Sequence, residues 1–511
     1  MIKRATAERA TPQSRRPPLR SLEPISLRWL GLTGFAGSVC VLVGTAQAGS
    51  PFVLKAPGAW FFGSGAGADR DGTFLAVMLV YLGLVLMIGS WYELVRTVRR
   101  RVRSPLGSVI ATTSAWAVPV LVMPPLFSRD AYSYAAQGDL VTRGINPYLH
   151  GPSVLGPGPF RDLVDPLWLH ARAPYGPAWE RLSGGIVELA HHDILATLVG
   201  FRVLAIAGVM LLGWAVVVLA RSVGRNESVA FTLAVANPVV LLVLVGGAHN
   251  DALMLGLLAM GCALARRNHV ITGLALCALA AEVKAPALIG AVFIGWWWSG
   301  TAAPWPRRLP RLGAALATAI GFMVLIGAVA GLGWRWLGGL SDPGVVVSWG
   351  DPATAVGLAL HRLFVVVGVV HPSGGFVDAA RLVALLAAAL ISLVLMTRED
   401  RIGPLQALGW SLLAIVVLGP VIWPWYETWG FVFLAVVAEG WTLRLVLVLS
   451  AVACFADLPG ARFFAVTDPL LAVLCWVFLL GLVGAYLALR LYPAWLQTRG
   501  GNPRRREPGL A

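Results

Sequence analysis

Charge is what this sequence has least of. Asp, Glu, Lys and Arg together make up 13% of its 511 residues, and the mean hydropathy is +0.75. No water-soluble packing of layers around a core tolerates such a composition. The net charge of +15 would by itself suggest a nucleic-acid partner. Its distribution excludes one, because the arginines crowd into the termini and a few short loops, which is the bias of cytoplasmic loops in membrane proteins. Cysteine is also sparse. Cys40, Cys262, Cys277, Cys454 and Cys475 lie in apolar stretches at no disulfide or metal-ligand spacing and read as small hydrophobes. Gly-rich phosphate-binding motifs are absent, so a sugar nucleotide or ATP has nowhere to sit. An inverted repeat of broken helices, the mark of a secondary transporter, is absent too.

What is present is apolar length. Uncharged runs of about 18 residues or more, enough to cross roughly 30 Å of hydrocarbon, recur along nearly the whole chain. Helices are required, because a closed barrel would show short alternating segments. The expected fold is an all-α polytopic membrane protein, a bundle of about 13–14 transmembrane helices with one large exoplasmic loop.

Residues 1–25 form a basic cytoplasmic tail, the membrane domain spans 26–490, and 491–511 is a second basic cytoplasmic tail ending near Arg504, Arg505 and Arg506. The first apolar segment ends in Ala46-Gln47-Ala48, which resembles a signal-peptidase site, but its run is long for a signal peptide and favours an uncleaved helix. The cluster Arg96, Arg99, Arg100, Arg101 and Arg103 marks a cytoplasmic loop. A third helix over residues 106–127 then exits on the other side, which makes the insert 128–193 exoplasmic. Basic turns at Arg221/Arg225, Arg266/Arg267 and Arg307/Arg308/Arg311 keep the parity. It places His249, Asn250, Asp251 and Lys284 outside, in a multi-pass protein of the cell membrane with both termini cytoplasmic. The segment from residue 334 to 375 is expected on the exoplasmic side, lying along the interface.

Three clusters could carry chemistry. Asp130 stands at the end of an apolar segment beside Arg129, Tyr132 and Tyr134; a carboxylate there suits a general base for a substrate held at the membrane face, or else a helix cap. The insert continues with Gln137, Asn146-Pro147-Tyr148 and Pro174-Tyr175-Gly176-Pro177, with Trp168 and Trp179. Aromatic faces and amide or carboxylate groups together suit a sugar. His249-Asn250-Asp251 is a polar triplet between two apolar helices, where ionisable groups are costly and mark function. One histidine beside one carboxylate is too few ligands for a metal, so a hydrogen-bonding role toward phosphate or sugar is expected there. Glu282 and Lys284 interrupt an apolar run; Lys284 can meet a phosphate, pair with Glu282, or snorkel to the interface. The loop Trp423 to Trp429 reads as an aromatic belt that could also wall a lipid entrance.

Taken in order, Ser128-Arg129-Asp130-Ala131-Tyr132-Ser133-Tyr134 with Gln137-Gly138, Gly144-Ile145-Asn146-Pro147-Tyr148, Pro174-Tyr175-Gly176-Pro177, His249-Asn250-Asp251 and Lys284-Ala285-Pro286 resemble the actinobacterial polyprenol-phosphate-mannose-dependent alpha-1,6-mannosyltransferases, membrane enzymes of the GT-C class. The resemblance implies mannose transfer from polyprenyl phosphate mannose to a mannan or lipoglycan acceptor at the exoplasmic face, by an inverting displacement. It implies a lipid-linked donor as substrate and no other cofactor, and it indicates no metal. Asp130 would be the catalytic base. Arg129, Tyr132, Tyr134, Gln137, Tyr148, Tyr175, His249, Asn250, Asp251 and Lys284 would bind substrate, Lys284 leading in balancing the leaving phosphate. Where the family commonly has a bulkier residue, this chain has Ala131. A lipid-linked sugar transporter or flippase, or a transferase for another polyprenyl phosphate sugar such as arabinose, is the alternative.

Overall fold

The computed structural model describes residues 26–47, 50, 70–100, 105–300, 303–368 and 372–456, and it holds no strand among them. The two basic tails, Arg101, Arg103, Cys475 and the spans expected after residue 456 lie outside the described residues.

Helices α1 (Leu27–Ala46), α2 (Arg70–Arg100) and α3 (Leu106–Leu121) pack together at the N-terminal side. α1 and α2 touch backbone to backbone: a Cβ on Gly37 would lie 2.8 Å from the carbonyl oxygen of Gly83, and one on Gly83 2.6 Å from that of Gly37. Close approach through small residues is how helices associate where lipid is as apolar as leucine. Trp116 of α3 donates its indole N–H to the Gly31 carbonyl at 3.1 Å, which locks α3 onto α1. α3 stops at Leu121, short of the expected residue 127, because Pro124 and Pro125 disfavour helical geometry ahead of them.

The insert 128–193 is a packed unit built on two helices, α4 (Asp130–Thr142) and α5 (Pro177–Leu189). Residues 131–141 of α4 are all buried, so this region is held rigidly against the bundle. Gly138 makes that contact possible, since a Cβ there would lie 2.7 Å from the Ser183 backbone.

α6 (Ile194–Ser222) starts at Asp193, whose carboxylate accepts from the Ala196 amide at 2.7 Å. After α7 (Glu227–Ala234), residues 240–245 form a π-helical turn. α8 (Asp251–Ala265), α9 (Val270–Val283) and α10 (Ile289–Trp297) follow, then α11 (Trp305–Ala330), α12 (Pro352–Val366) and α13 (Ser373–Thr397). α14 (Pro404–Val417), α15 (Thr428–Val437) and α16 (Gly440–Ala456) complete the described chain.

Five helices, over residues 27–46, 74–100, 194–222, 305–330 and 373–397, are long and apolar enough to cross a membrane. Their outer faces carry large apolar side chains such as Val329, 82% exposed, and Val383, 65% exposed. That surface is solvated by hydrocarbon, and the protein is an all-α polytopic membrane protein.

The ends of the bundle differ in chemistry. At one end the basic turns gather: Arg266 donates to Ser222 Oγ at 2.9 Å, Arg225 pairs with Glu439, and Arg308 pairs with Glu399 at 2.8 Å. At the other end α8 begins at Asp251, α9 ends beside Lys284, and α15 begins beside Trp429. The segment between α11 and α13 leaves from and returns to this second end, with Arg172 of the insert bound to Asp342 at 2.6 Å.

Candidate active site

Two irregular turns set the site. The chain between α3 and α4 passes through Phe127 at φ 62°, and the turn before α8 passes through Ala248 at φ 53°. Both are left-handed conformations that a non-glycine residue adopts only when its surroundings impose them. The two turns are tied directly, because the Leu126 amide donates to the Gly246 carbonyl at 3.1 Å.

Asp130 is the first residue of α4, and Arg129 holds the cap position without a side-chain cap bond. The Asp130 amide donates to Ser128 Oγ at 3.1 Å. Its carboxylate faces His249, whose Nδ1 lies 3.5 Å from Asp130 Oδ2. Burial pushes the Asp130 carboxyl up, but attraction to His249, the charge of Lys284 and the Ser128 hydroxyl outweigh it, leaving the group below the ordinary aspartate range. The His249 ring is fully buried and stacks on Trp425 at 4.1 Å between centroids.

The rest of the triplet holds the lysine. Lys284 Nζ donates to Asp251 Oδ2 at 2.8 Å and lies 3.5 Å from Asn250 Oδ1, which also accepts from the Tyr134 hydroxyl at 3.2 Å. Asp251 Oδ1 accepts from the Trp429 indole at 2.6 Å. The ammonium also sits 4.5 Å above the Tyr426 ring and 5.5 Å from that of Trp429. Lys284 thus pairs with Asp251, not Glu282; Glu282 instead accepts from the Ala178 amide at 3.3 Å.

These groups border a cavity of about 460 Å³. Asp130, Gln137, Tyr175 and Lys284 of the expected residues line it. Asp130 and Lys284 keep 19% and 10% of their side chains exposed, whereas His249 and Asp251 keep none. The first pair can therefore touch a ligand, while the second pair holds the first in place. Tyr134 stands behind the wall in an edge-on cluster with Tyr175 and Trp179, at 5.5 and 5.1 Å.

Other expected residues fall outside the lining. Arg129 donates to the Val164 carbonyl at 3.4 Å and lies 3.9 Å from Asp165, bracing the insert. Tyr132 is buried and senses the charge of Arg202. Tyr148 is buried as well, its amide bonded to Asn146 Oδ1 at 2.9 Å, within the Asn-Pro-Tyr turn. The loop Trp423 to Trp429 is no surface belt: Trp425 and Trp429 are buried, and Trp423, Tyr426 and Trp429 form a wall of the cavity.

Some residues escaped the reading of the sequence. Arg202, inside the apolar helix α6, is buried and donates to four carbonyls, those of Leu121 at 3.2 Å, Val245 at 3.3 Å, Gly246 at 2.6 Å, and Met123. It satisfies the C-terminal carbonyls of α3 and of the π-helical turn together, and so fixes the two turns that carry Asp130 and His249. An arginine in the apolar first half of a 29-residue helix, far from the basic last turn at Arg221, was the signal available. Arg172 and Asp342 line the cavity as an ion pair joining the insert to the segment after α11.

The N-terminal domain profile of the alpha-(1->6)-mannopyranosyltransferases matches residues 30–300, and the MptB C-terminal domain profile matches residues 353–487. The chain belongs to the alpha-(1->6)-mannopyranosyltransferase family. It is 31% identical over 424 residues to Alpha-(1->6)-mannopyranosyltransferase A of Mycobacterium tuberculosis, covering 80% of each chain. To Alpha-(1->6)-mannopyranosyltransferase B of Corynebacterium glutamicum it is 28% identical over 472 residues, covering 84% of this chain and 76% of the relative. No solved structure matches it. As a membrane mannosyltransferase, the chain gathers Asp130 and Lys284 on one cavity with His249 and Asp251 directly behind them, all four within the matched residues 30–300.

Proposed function

We propose that this mannosyltransferase draws mannose from a polyprenyl phosphate mannose and passes it to a mannan or lipoglycan acceptor at the exoplasmic membrane face, forming alpha-1,6 linkages. The observation that carries the reading is the pairing of a partly exposed carboxylate, Asp130, with a partly exposed ammonium, Lys284, on one cavity that continues into an apolar groove. The groove, about 400 Å³, lies between α10, α13 and α14 and shares Pro286, Leu385 and Ile415 with the cavity. A sugar phosphate fits the cavity, and a polyprenyl chain fits the groove. The burial of the triplet and Lys284 at one end of the bundle, opposite the basic turns, supports an exoplasmic site by the positive-inside bias.

In the reaction, Asp130 accepts the proton of the acceptor 6-hydroxyl as that oxygen forms its bond to the anomeric carbon. The bond from the anomeric carbon to the phosphate oxygen breaks, its electron pair leaves on the polyprenyl phosphate, and the configuration inverts. Lys284, held by Asp251 and Asn250, meets the negative charge that grows on the departing phosphate. Stacking on Tyr175, Trp423 and Tyr426 suits the C–H face of the sugar.

Asp130→Asn keeps size and hydrogen-bonding shape but removes the base. In membranes supplied with polyprenyl phosphate mannose and a short alpha-mannoside, transfer should drop by at least about 10²-fold at unchanged protein abundance. Near-normal transfer would remove Asp130 from the reaction. Running the same assay with arabinose or glucose on the lipid phosphate decides the donor sugar.

A further inference from the structure

The end of the bundle away from the catalytic cavity carries a second built feature that the transfer reaction does not use. Two cavities, of about 300 and 230 Å³, meet at Arg99 where α2 ends. The larger is lined by Tyr92, Arg96, Arg99 and Arg444 on its polar side and by Leu443 and Leu447 of α16 on its apolar side. Arg96 is already engaged: it pairs with Glu93 at 2.5 Å, and its guanidinium lies 5.7 Å from the Tyr92 ring. In the smaller cavity Arg225 is paired with Glu439. Arg99 and Arg444 have no carboxylate partner among the described residues and are exposed. The cleft therefore presents two uncompensated guanidiniums beside a hydrocarbon strip.

We propose that this cleft between α2 and α16 binds the phosphate headgroup of an anionic glycerophospholipid, with Arg99 and Arg444 on the phosphate and an acyl chain along α16. Guanidinium forks match phosphate oxygens, and basic pockets between membrane helices near one bilayer face are a known form of lipid recognition. The apolar side selects a lipid over a soluble anion. Leu447 is followed on the outer face of α16 by Val448, 59% exposed, and Val452, 42% exposed, while α2 contributes Val85, 57% exposed. That strip faces the hydrocarbon, where the acyl chain of a lipid lies beside its headgroup and a free phosphate or nucleotide makes no contact. The same interfacial position suits Tyr92, an exposed aromatic with a polar tip.

The test uses full-length protein in detergent micelles, titrated with phosphatidylglycerol or with phosphatidylcholine and read by native mass spectrometry and by the unfolding midpoint. Wild type should retain phosphatidylglycerol in preference to phosphatidylcholine. Each arginine near an anionic lipid is worth roughly a fivefold change in affinity, so Arg99→Gln with Arg444→Gln should weaken phosphatidylglycerol binding by roughly 25-fold and phosphatidylcholine, whose choline already offsets its phosphate, much less. Arg100→Gln, a neighbouring exposed arginine that lines neither cavity, should leave both unchanged. Equal retention of the two lipids by wild type, or unaltered preference in the double variant, would overturn the proposal. Displacement of the lipid by an equal concentration of inorganic phosphate would overturn it too, assigning the cleft to a soluble anion. Binding is read without any transfer assay, so the outcome is independent of the role of Asp130.

Discussion

Replacing Lys284 by methionine keeps most of the length of the unbranched side chain and removes its charge. In the wild type, Lys284 Nζ lies 2.8 Å from Asp251, whose side chain is fully buried. In Lys284→Met the Asp251 carboxylate would keep only the Trp429 indole, at 2.6 Å, among its described side-chain partners. Deleting one member of a buried ion pair costs about 3–5 kcal/mol, because the other charge stays buried without compensation. Adding Asp251→Asn removes that charge, and the introduced amide oxygen can still accept from Trp429; the remaining cost is about 1–3 kcal/mol for an incompletely paired amide. The double variant should therefore be more stable than Lys284→Met alone. Transfer should behave differently: the cation that faces the leaving phosphate is missing from both variants, and losing one such stabilising group lowers turnover by about 10²–10³-fold. Unfolding midpoints of the purified variants give the first quantity, and transfer from polyprenyl phosphate mannose in membranes gives the second. A Lys284→Met protein as stable as wild type would refute the buried-pair argument. A double variant that regained transfer along with stability would refute the role assigned to the lysine charge.

Three further outcomes follow from the same geometry. Asp130 acts as a base only when ionised, and its pKa lies below the ordinary value because His249, Lys284 and the Ser128 hydroxyl outweigh burial; the acid limb of the pH profile of kcat/KM should therefore lie below the ordinary aspartate range. In His249→Ala burial is opposed by less, the carboxyl rises, and the acid limb should move to higher pH; an unmoved limb would separate His249 from Asp130. Arg202→Lys replaces five donors by three opposite four carbonyls, leaving at least one without a donor at a cost of about 1–3 kcal/mol. The unfolding midpoint and transfer should fall together, and a variant with the wild-type midpoint would dismiss the clasp between the two turns.

Composition and the spacing of basic loops are one-dimensional properties, and they carried the fold class. Low charge, long apolar runs and clustered arginines require an all-helical membrane bundle whatever its packing, because unsatisfied backbone polar groups are not tolerated in hydrocarbon. The motifs also singled out Asp130, His249, Asn250, Asp251 and Lys284, since a charged residue at an apolar boundary stands out in the sequence itself. What they could not supply is partnership. Glu282 is two residues from Lys284, yet Asp251, 33 positions away, is its partner, because α9 ends with the lysine directed at the start of α8. Trp425 and Trp429 look like belt residues in sequence and are buried against His249 and Asp251 in space. Tyr132, Tyr134 and Tyr148 share a motif series with Asp130, but only the fold separates a wall residue from one that backs the wall. Arg202 shows the limit most clearly. Its chemistry depends on four carbonyls from two segments, 79–81 residues before it and 43–44 after it, and long-range carbonyl partners leave no pattern in a sequence.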